Sequence, residues 1–302
     1  MRRSAAVAVF SILLALAFRY QGLGQSNLVH QLAPGVYYRQ TEPDKRIIAN
    51  TGWVVFRDYV VVIDANFPWG ARAILNDLKQ TTNKPIRFIF DTHYHSDHAF
   101  GNSVWVDAGA TILCSEDCAA ESREKNVAAW NNNTATGDYS LKNYRLEHPQ
   151  VTFRDRMVID DGTHRLELLK VGPAHTRGDA VAYLPKERIL FTGDVCVNGG
   201  GHNLADPDAD HVNWVRALDD LAMKDVAVVI PGHGAPGTVE TLRGDSAYLN
   251  DLITQVRNGV AAGKTADQVA ETIDLTRHKG WGSDPARNKA AAKTVYAKLA
   301  KP

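Results

Sequence analysis

The chain reads THYHSDH over residues 92–98, and this stretch determines how the rest of the sequence is interpreted. It places four potential metal ligands within six residues, in the order His-x-His-x-Asp-His. Because side chains alternate along extended backbone, His93 and His95 share one side, whereas Asp97 and His98 follow the turn and point elsewhere. One short segment can therefore supply ligands to two metal ions.

Three further candidate ligands lie downstream, each in a glycine-containing segment. His175 lies in VGPAHTRGD, Asp194 ends ILFTGD, and His233 lies in PGHG. Each is predicted at or just beyond the end of a buried strand, where a rigid sheet can hold a site in register. Taken singly, each is more often a solvated histidine or a turn-forming aspartate. Beside the 92–98 cluster, metal binding becomes the favoured interpretation.

Apolar periodicity and turn-forming residues divide the rest of the chain into strands and helices. The predicted strands cover residues 35–40, 46–57, 59–64, 86–91, 111–114, 151–153, 157–159, 165–171, 180–184, 188–192 and 226–230. The predicted helices cover residues 71–80, 116–130, 211–221 and 239–260, followed by a helical tail over 265–301 that is interrupted at 280–282. Because strand clusters alternate twice with amphipathic helices, we expect one domain with sheet inside and helices outside.

The composition is that of an ordinary globular protein. Of 302 residues, 44% are hydrophobic and 23% are charged, which provides enough apolar material for one substantial core. The formal net charge is zero, so nothing in the charge balance favours nucleic acid or an anionic membrane as a partner. We expect a small-molecule substrate, and the sequence leaves the oligomeric state open.

The N-terminal segment resembles a secretory signal peptide. Arg2 and Arg3 precede an apolar run over residues 5–18, and a zone of small residues follows at 22–26. We therefore predict a signal peptide over residues 1–24 and a secreted or periplasmic protein without stable membrane association after cleavage; an uncleaved anchor is the alternative. Residues 25–302 are then predicted to form a single domain, with a core at about 35–252 and a helical extension over 265–301.

The cysteine count gives little support to a disulfide framework. There are three cysteines, so at least one thiol has no intramolecular partner. Cys114 and Cys118 are close enough in sequence to pair in an oxidising compartment if the local geometry permits. The favoured interpretation is that the cysteines are small buried hydrophobic residues.

Taken together, these motifs resemble the metallo-β-lactamase superfamily over about residues 35–252. The resemblance implies an α/β fold of the αββα sandwich type, in which two similar halves pack their sheets together and the site lies along one edge. It also implies a division of the ligands between two ions. His93, His95 and His175 would hold the first ion, Asp97, His98 and His233 the second, and Asp194 would bridge them.

The resemblance implies a metal-dependent hydrolase in which a hydroxide shared by two ions attacks the substrate. Asp97 would also act catalytically, by accepting a hydrogen bond from the nucleophile. The predicted site offers only nitrogen and oxygen ligands, so two zinc ions are the expected cofactors, with iron or manganese as alternatives.

The second half of the chain is most similar to true β-lactamases whose second zinc carries a cysteine. Asn203 matches an asparagine that lines their site and is a second catalytic candidate. Asp194 replaces the cysteine ligand, as in glyoxalase II-like members, and Val197 replaces a lysine that grips the β-lactam carboxylate. The expected substrate therefore has a carbonyl centre, in a cyclic amide such as a β-lactam, a lactone, an ester or a thioester.

Other residues are weaker candidates. Arg177, His202 and His211 are possible substrate contacts, although each is more often an ordinary surface residue. Cys196 is expected to lie near the site without binding metal. Phe67 and Trp69, together with Trp53, occupy a region that shapes the pocket in relatives. The alternative function is a periplasmic metal-binding redox or sulfur-handling accessory protein without hydrolytic turnover.

Overall fold

The computed structural model describes residues 28–199 and 201–300, which form two β-sheets packed face to face between layers of helices. The α/β sandwich expected from the sequence is thereby confirmed. The predicted signal peptide over residues 1–24 lies outside the described residues. No helix among those described is long and apolar enough to span a membrane.

The first sheet has seven strands in chain order. They are β1 (Val29–Ala33), β2 (Val36–Arg39), β3 (Thr51–Val55), β4 (Val60–Ile63), β5 (Ile86–Phe90), β6 (Thr111–Ser115) and β7 (Val151–Phe153). Strands β1 to β4 pair antiparallel, and β4 to β7 pair parallel. The carboxyl ends of β4 and β5 therefore meet at the same edge of the sheet.

The second sheet has five strands. They are β8 (Arg156–Asp160), β9 (Arg165–Lys170), β10 (Ala180–Leu184), β11 (Ile189–Phe191) and β12 (Val228–Ile230), arranged in the order β12-β11-β10-β9-β8. Only β11 and β12 pair parallel among these strands. Their carboxyl ends therefore also lie side by side, and the segments that follow them carry Asp194 and His233.

Eight α-helices occur within the described residues. They are α1 (Pro68–Thr81), α2 (Ser96–Ala99), α3 (Asn102–Asp107), α4 (Glu116–Asn131), α5 (His211–Ala222), α6 (Val239–Ala261), α7 (Ala266–Thr272) and α8 (Pro285–Leu299). Helices α1 and α3 share a core with the outer face of the first sheet, and α5 to α8 share one with the outer face of the second.

Alternation along the buried strands explains the layering. In β4, Val60 and Val62 pack toward α1 and α3, whereas Val61 and Ile63 pack between the two sheets. A strand that is buried on both faces needs apolar residues at every position, which accounts for the continuous run of valine and isoleucine. The free cysteines Cys114, Cys118 and Cys196 are all buried, in agreement with their interpretation as small hydrophobic residues.

The contact between the sheets is closest at Gly52 of β3. A Cβ atom at this position would lie 2.3 Å from Cε1 of Phe191, which belongs to β11 of the opposite sheet. Both residues are fully or almost fully buried. Glycine is therefore required here by the approach of an aromatic ring.

We predict that Gly52→Ala lowers the free energy of unfolding by about 1–3 kcal/mol, because the added methyl group overpacks the interface between the sheets. The cost should shrink in a Phe191→Leu background, where the ring is absent. Urea denaturation of wild type, the two single variants and the double variant measures the cost of Gly52→Ala in each background. Val158→Ala, on the exposed edge strand β8, serves as the control and should change stability by less than about 0.5 kcal/mol. An equal cost of Gly52→Ala in both backgrounds would contradict the conclusion that the ring of Phe191 requires glycine at position 52.

Candidate metal centre

The two sheets bring all seven sequence-predicted ligands together at one edge of the sandwich. Their donor atoms form two groups, each with all its atoms within 4.8 Å of one another. One group comprises His93, His95, His175 and Asp194, and the other comprises Asp97, His98 and His233. The division agrees with the one that the resemblance implies, with Asp194 positioned between the groups.

The shared carboxylate of Asp194 faces both groups with different oxygens. Its Oδ2 lies 3.6 Å from Nε2 of His175 and 4.0 Å from Nε2 of His93. Its Oδ1 lies 3.2 Å from Nε2 of His98 and 3.2 Å from Nε2 of His233. This is the arrangement that a carboxylate needs to bridge two cations. A Cβ on Gly232 would lie 2.0 Å from Oδ1 of Asp194, so glycine at this position allows the carboxylate of Asp194 to approach the segment that carries His233.

The second group is as compact as the first. Oδ2 of Asp97 lies 3.2 Å from Nε2 of His233 and 3.6 Å from Nε2 of His98, and the two imidazole nitrogens are 3.4 Å apart. Asp97 and His98 lie in α2, which begins directly after His95. The turn of this helix redirects the chain, so consecutive ligands reach different groups.

Four of the histidines each make a hydrogen bond through the ring nitrogen that points away from the other ligands. Nδ1 of His98 donates to Oδ2 of Asp64 over 2.9 Å, and Nδ1 of His233 donates to the carbonyl oxygen of Ile48 over 2.7 Å. Nδ1 of His93 donates to the Thr92 hydroxyl over 3.1 Å, and Nε2 of His95 donates to Oδ2 of Asp206 over 3.1 Å. Such partners fix the ring orientation and the tautomer, leaving the inner nitrogens free to bind metal.

Asp64 is the central outer partner, and sequence reasoning missed it. It directly follows β4, has a left-handed backbone (φ 65°) and accepts from the amide and hydroxyl of Thr92 over 2.9 and 2.8 Å. It therefore supports His98 directly and His93 through Thr92. Its position at the carboxyl end of the apolar run YVVVID was the available signal.

Asp206 is the second missed residue. Its carboxylate is buried in the loop before α5 and accepts from His95 and from the hydroxyl of Tyr94. Burial alone would raise the pKa of Asp206, but its hydrogen bonds, chiefly those from His95 and Tyr94, and the nearby charge of Lys125 outweigh burial and hold the pKa below its usual range. No local sequence pattern indicates this contact, because His95 and Asp206 are 111 residues apart.

The histidines of the first group are suited to bind a cation. Burial lowers the pKa of His93 well below its ordinary value and lowers that of His175 to about 3, so both rings are neutral and present a lone pair. Nε2 of His93 is buried and has no hydrogen-bond partner among the described residues. Nε2 of His175 and Nδ1 of His95 approach each other to 2.9 Å. Nitrogens that face one another without an intervening acceptor fit a shared metal ion.

The carboxylates dominate the electrostatics of the second group. Burial alone would lower the pKa of His233, but Asp194 and Asp97 outweigh it and raise the pKa to about 10. Burial likewise opposes the charge on His98, yet Asp194 and Asp64 raise its pKa well above the ordinary value. Positive charge is thus favoured among these residues, and divalent cations can supply it in place of protons.

The loop that carries His175 is rigid by construction. Asp179 accepts from the amide of Thr176 over 2.8 Å and from its hydroxyl over 2.6 Å. A Cβ on Gly178 would lie 2.1 Å from the amide nitrogen of Cys118, so the loop packs directly against the start of α4. These contacts account for the presence of Gly178 and Asp179 in this loop.

The remaining candidates have partners within the protein. Oδ1 of Asn203 accepts from the amide of Ala205 over 3.1 Å and closes a turn in an exposed loop. Arg177 pairs with Glu124 over 2.8 Å. The sequence-based interpretation of Arg177 as a substrate contact therefore gains no support from its geometry, and Asn203 stays a prediction.

Two histidines proposed as substrate contacts are instead packed against the core. Nε2 of His202 lies 2.7 Å from Oδ1 of the buried Asp245, and its ring stacks on Tyr248. His211 is buried and donates to the carbonyl oxygen of Leu204 over 3.0 Å. Both residues anchor the loop that contains Asp206.

The aromatic candidates divide between the core and the surface. Trp53 lies in β3 and is fully buried, and its indole donates to the hydroxyl of Thr81, so it belongs to the core. Phe67 and Trp69 are half-buried and stacked, with ring centroids 4.7 Å apart. The backbone beside Phe67 contacts the metal-ligand segment, because the amide of Ala65 donates to the carbonyl oxygen of His98 over 2.6 Å.

Solved structures share this fold. A metallo-β-lactamase from Pontibacter korlensis superposes with a TM-score of 0.60 at 23% identity, covering 74% of this chain and 98% of that one. A stereoselective inverting sec-alkylsulfatase from Pseudomonas sp. superposes with a TM-score of 0.71 at 18% identity, covering 90% of this chain and 50% of that one. At these identities the likeness establishes the fold.

Curated relatives include several activities. A linear primary-alkylsulfatase from Pseudomonas sp. is 24% identical over 69% of this chain and 46% of its own length. The alpha subunit of a 2,4-dinitroanisole O-demethylase from Nocardioides sp. is 30% identical over 50% of this chain and 41% of its own length. A type 2 metallo-β-lactamase from Elizabethkingia meningoseptica is 24% identical over 61% of this chain and 68% of its own length. The chain thus spans about half the length of the first two relatives.

The family assignment rests on a longer match. The family description "Metallo-beta-lactamase superfamily" fits residues 45–233, which is more than half of the chain and contains all seven predicted ligands. Its relatives include metal-dependent hydrolases such as β-lactamases and alkylsulfatases. The chain therefore belongs to the metallo-β-lactamase superfamily.

Proposed function

We propose that this protein is an exported dinuclear hydrolase that acts on a carbonyl centre in a cyclic amide, lactone, ester or thioester. The observation that carries the proposal is the carboxylate of Asp194, whose two oxygens face two separate groups of donor atoms. Export rests on the signal-like segment over residues 1–24.

The donor set fits two zinc ions, with iron or manganese as alternatives, because most of its ligands are imidazole nitrogens and the rest are carboxylates, both of which bind zinc well. When bound, the pair of ions would provide hydroxide at neutral pH and an electrophile for the substrate oxygen. His93, His95 and His175 would hold one ion, Asp97, His98 and His233 the other, and Asp194 both.

The protein's own residues define the direction of attack. Side chains of His93, His98 and His175 are sealed inside the fold, with at most 1% of their surface exposed. Side chains of His95, Asp97 and His233 retain 16%, 18% and 26% exposure. Substrate and water would therefore reach the centre from the side of these three residues, where the carboxylate of Asp97 would accept a hydrogen bond from the nucleophile and orient it.

The substrate-binding side differs from that of the β-lactamases that the chain resembles. Val197 is buried and uncharged where they carry a lysine, and its carbonyl oxygen accepts from the indole of Trp281 over 2.9 Å. This position cannot provide the charge-assisted contact that a carboxylate next to the scissile bond would need. Neutral esters and lactones are accordingly favoured over β-lactams.

Sulfate esters are the second candidate substrate class. The linear primary-alkylsulfatase aligns with 69% of this chain, more than the type 2 metallo-β-lactamase does. An accessory role without turnover is less favoured, because the donor set is complete and the relatives include hydrolases.

We predict chelator-sensitive turnover of at least one neutral carbonyl ester or lactone. The purified protein should be assayed against panels of esters, lactones, thioesters, β-lactams and alkyl sulfates, before and after removal of metal and after zinc is restored. Faster turnover of alkyl sulfates than of every carbonyl substrate would favour the second candidate. Absence of chelator-sensitive turnover on all panels would refute the proposed hydrolase activity on these substrates.

We also predict that Asp194→Ala empties or mobilises one of two ions, because both groups of donors lose their shared ligand. Metal content after dialysis, measured by mass spectrometry, should fall from two ions per chain to one or fewer. Asp160→Ala, which removes an exposed carboxylate paired with Arg165, should retain two. Two tightly held ions in Asp194→Ala would show that this carboxylate is not the bridge.

A further inference from the structure

Behind the first group of ligands lies a buried network centred on Asp206. The side chain of Asp206 is completely buried. It accepts from the Tyr94 hydroxyl, from Nε2 of His95 over 3.1 Å and from the amide of Asp208 over 2.8 Å. Lys125 of α4 supplies a further partner, with its Nζ 3.4 Å from Oδ1. Every donor to this carboxylate is thus an internal group of the protein.

Lys125 connects this carboxylate with a second one. Its Nζ lies 2.9 Å from Oε1 of Glu121, 3.1 Å from Asp208 and 4.5 Å from the centre of the Tyr94 ring. Glu121 is buried and accepts from the amide of Gly178 over 2.9 Å and from that of Arg177 over 3.2 Å. These two amides belong to the loop that carries His175.

One lysine therefore reaches two of the predicted ligands by separate routes. Through Asp206 it reaches His95, and through Glu121 it reaches the loop of His175. The backbone of Tyr94 is held as well, because the side-chain amide of Asn126 donates to its carbonyl oxygen over 2.9 Å. Helix α4 thus fixes both sides of the first ligand group, although it contributes no ligand itself.

We propose that Lys125 and Tyr94 are positioning residues that hold His95 and His175 in the geometry required by the first metal ion, and so set how tightly that ion is retained. The inference rests on the proposed dinuclear function. It concerns one ion only, because the second group is supported by different residues, namely Asp64 and the carbonyl oxygen of Ile48.

The physical reason is that an imidazole ring without a hydrogen-bond partner can rotate and can carry its proton on either nitrogen. Nδ1 of His95 faces Nε2 of His175, and it can bind metal only while the proton remains on Nε2. The acceptor at Asp206 enforces that tautomer. Without Lys125, the buried carboxylates of Glu121 and Asp206 would lose their common counter-charge, and an uncompensated buried charge is destabilising. We therefore expect the loop with Asp206 to shift away from α4.

The test is the release of zinc from the full-length, zinc-loaded protein to a chromophoric chelator. Wild type should release two ions per chain in two phases. Tyr94→Phe and Lys125→Met should each weaken the retention of one ion by about 10-fold, the lower end of the effect of losing a group behind a metal ligand. The other phase should be unchanged. Lys125→Arg should restore most of the lost retention, because it restores the positive charge.

Two variants serve as matched controls. Tyr183→Phe removes a hydroxyl that donates to the carbonyl oxygen of Asp225 over 2.9 Å, away from the ligands. Lys170→Met removes another lysine that pairs with α4, at Asp117. Both should release zinc as wild type does. Urea denaturation of the metal-free proteins should give similar midpoints for Tyr94→Phe and Tyr183→Phe, because each variant loses one hydrogen bond.

The possible outcomes separate the two proposals. If wild type holds no pair of ions, the proposed dinuclear function fails. If wild type holds two and the Tyr94 and Lys125 variants release them at the wild-type rate, the positioning role is wrong and the dinuclear function stands. Equal loosening of both ions would also overturn the inference, since it would indicate general destabilisation. Loss of one ion, with rescue by Lys125→Arg, supports it.

Discussion

The burial of Asp194 is the constraint on which the rest of the structure depends. A carboxylate with 9% of its side chain exposed loses most of its hydration, which costs several kcal/mol unless positive charge compensates for it. The compensation must come from both directions, because the two oxygens face different groups of imidazoles. Two ions, or protonated histidines in their place, meet this requirement. The sandwich is the device that brings His93 and His98 from the first sheet to within 4.0 Å of an aspartate from the second.

The elements that support this contact were predictable because their signals are local. The run YVVVID is apolar at every position, and it forms β4 (Val60–Ile63) as expected of a strand buried on both faces. Helices predicted over 211–221 and 239–260 are observed at His211–Ala222 and Val239–Ala261. Their apolar stripes recur with a helical period and are readable without knowledge of the fold.

The prediction was wrong where the backbone departs from a regular period. A strand was expected over residues 46–57, but β3 begins only at Thr51. Arg46 adopts a left-handed conformation (φ 54°) after a short 3₁₀ turn, and the amide of Asn50 donates to the carbonyl oxygen of Gly232 instead of to a neighbouring strand. The short helices α2 and α3 were also missed. They are four and six residues long, which is too short for a helical period to be recognised in the sequence. In addition, α2 lies within the ligand segment, where the residues were interpreted as metal ligands.

The outer partners of the ligands could not be read from the sequence for a different reason. A ligand is recognisable by residue type and spacing, whereas Asp206 is an ordinary loop aspartate until the fold places it against His95. Its loop is held by distant contacts, with His202 at the buried Asp245 and the Lys298 ammonium at the carbonyl oxygen of Pro207. Lys298 belongs to α8, which sequence reasoning had separated from the core as an extension.

This last contact changes how the C-terminal helices are understood. The indole of Trp281 donates to the carbonyl oxygen of Val197, three residues after the shared aspartate, and Lys298 holds the loop one residue from Asp206. The C-terminal extension therefore contacts both ends of the segment between the bridging residue Asp194 and Asp206, the residue that supports His95. The loop has neither strand nor helix over its described residues, 198–199 and 201–210, and needs such external contacts to keep a fixed shape. The precision of the metal centre thus depends on residues that lie well beyond the last ligand, His233, in the chain. This distance in sequence explains why the ligands could be predicted and the geometry that orients them could not.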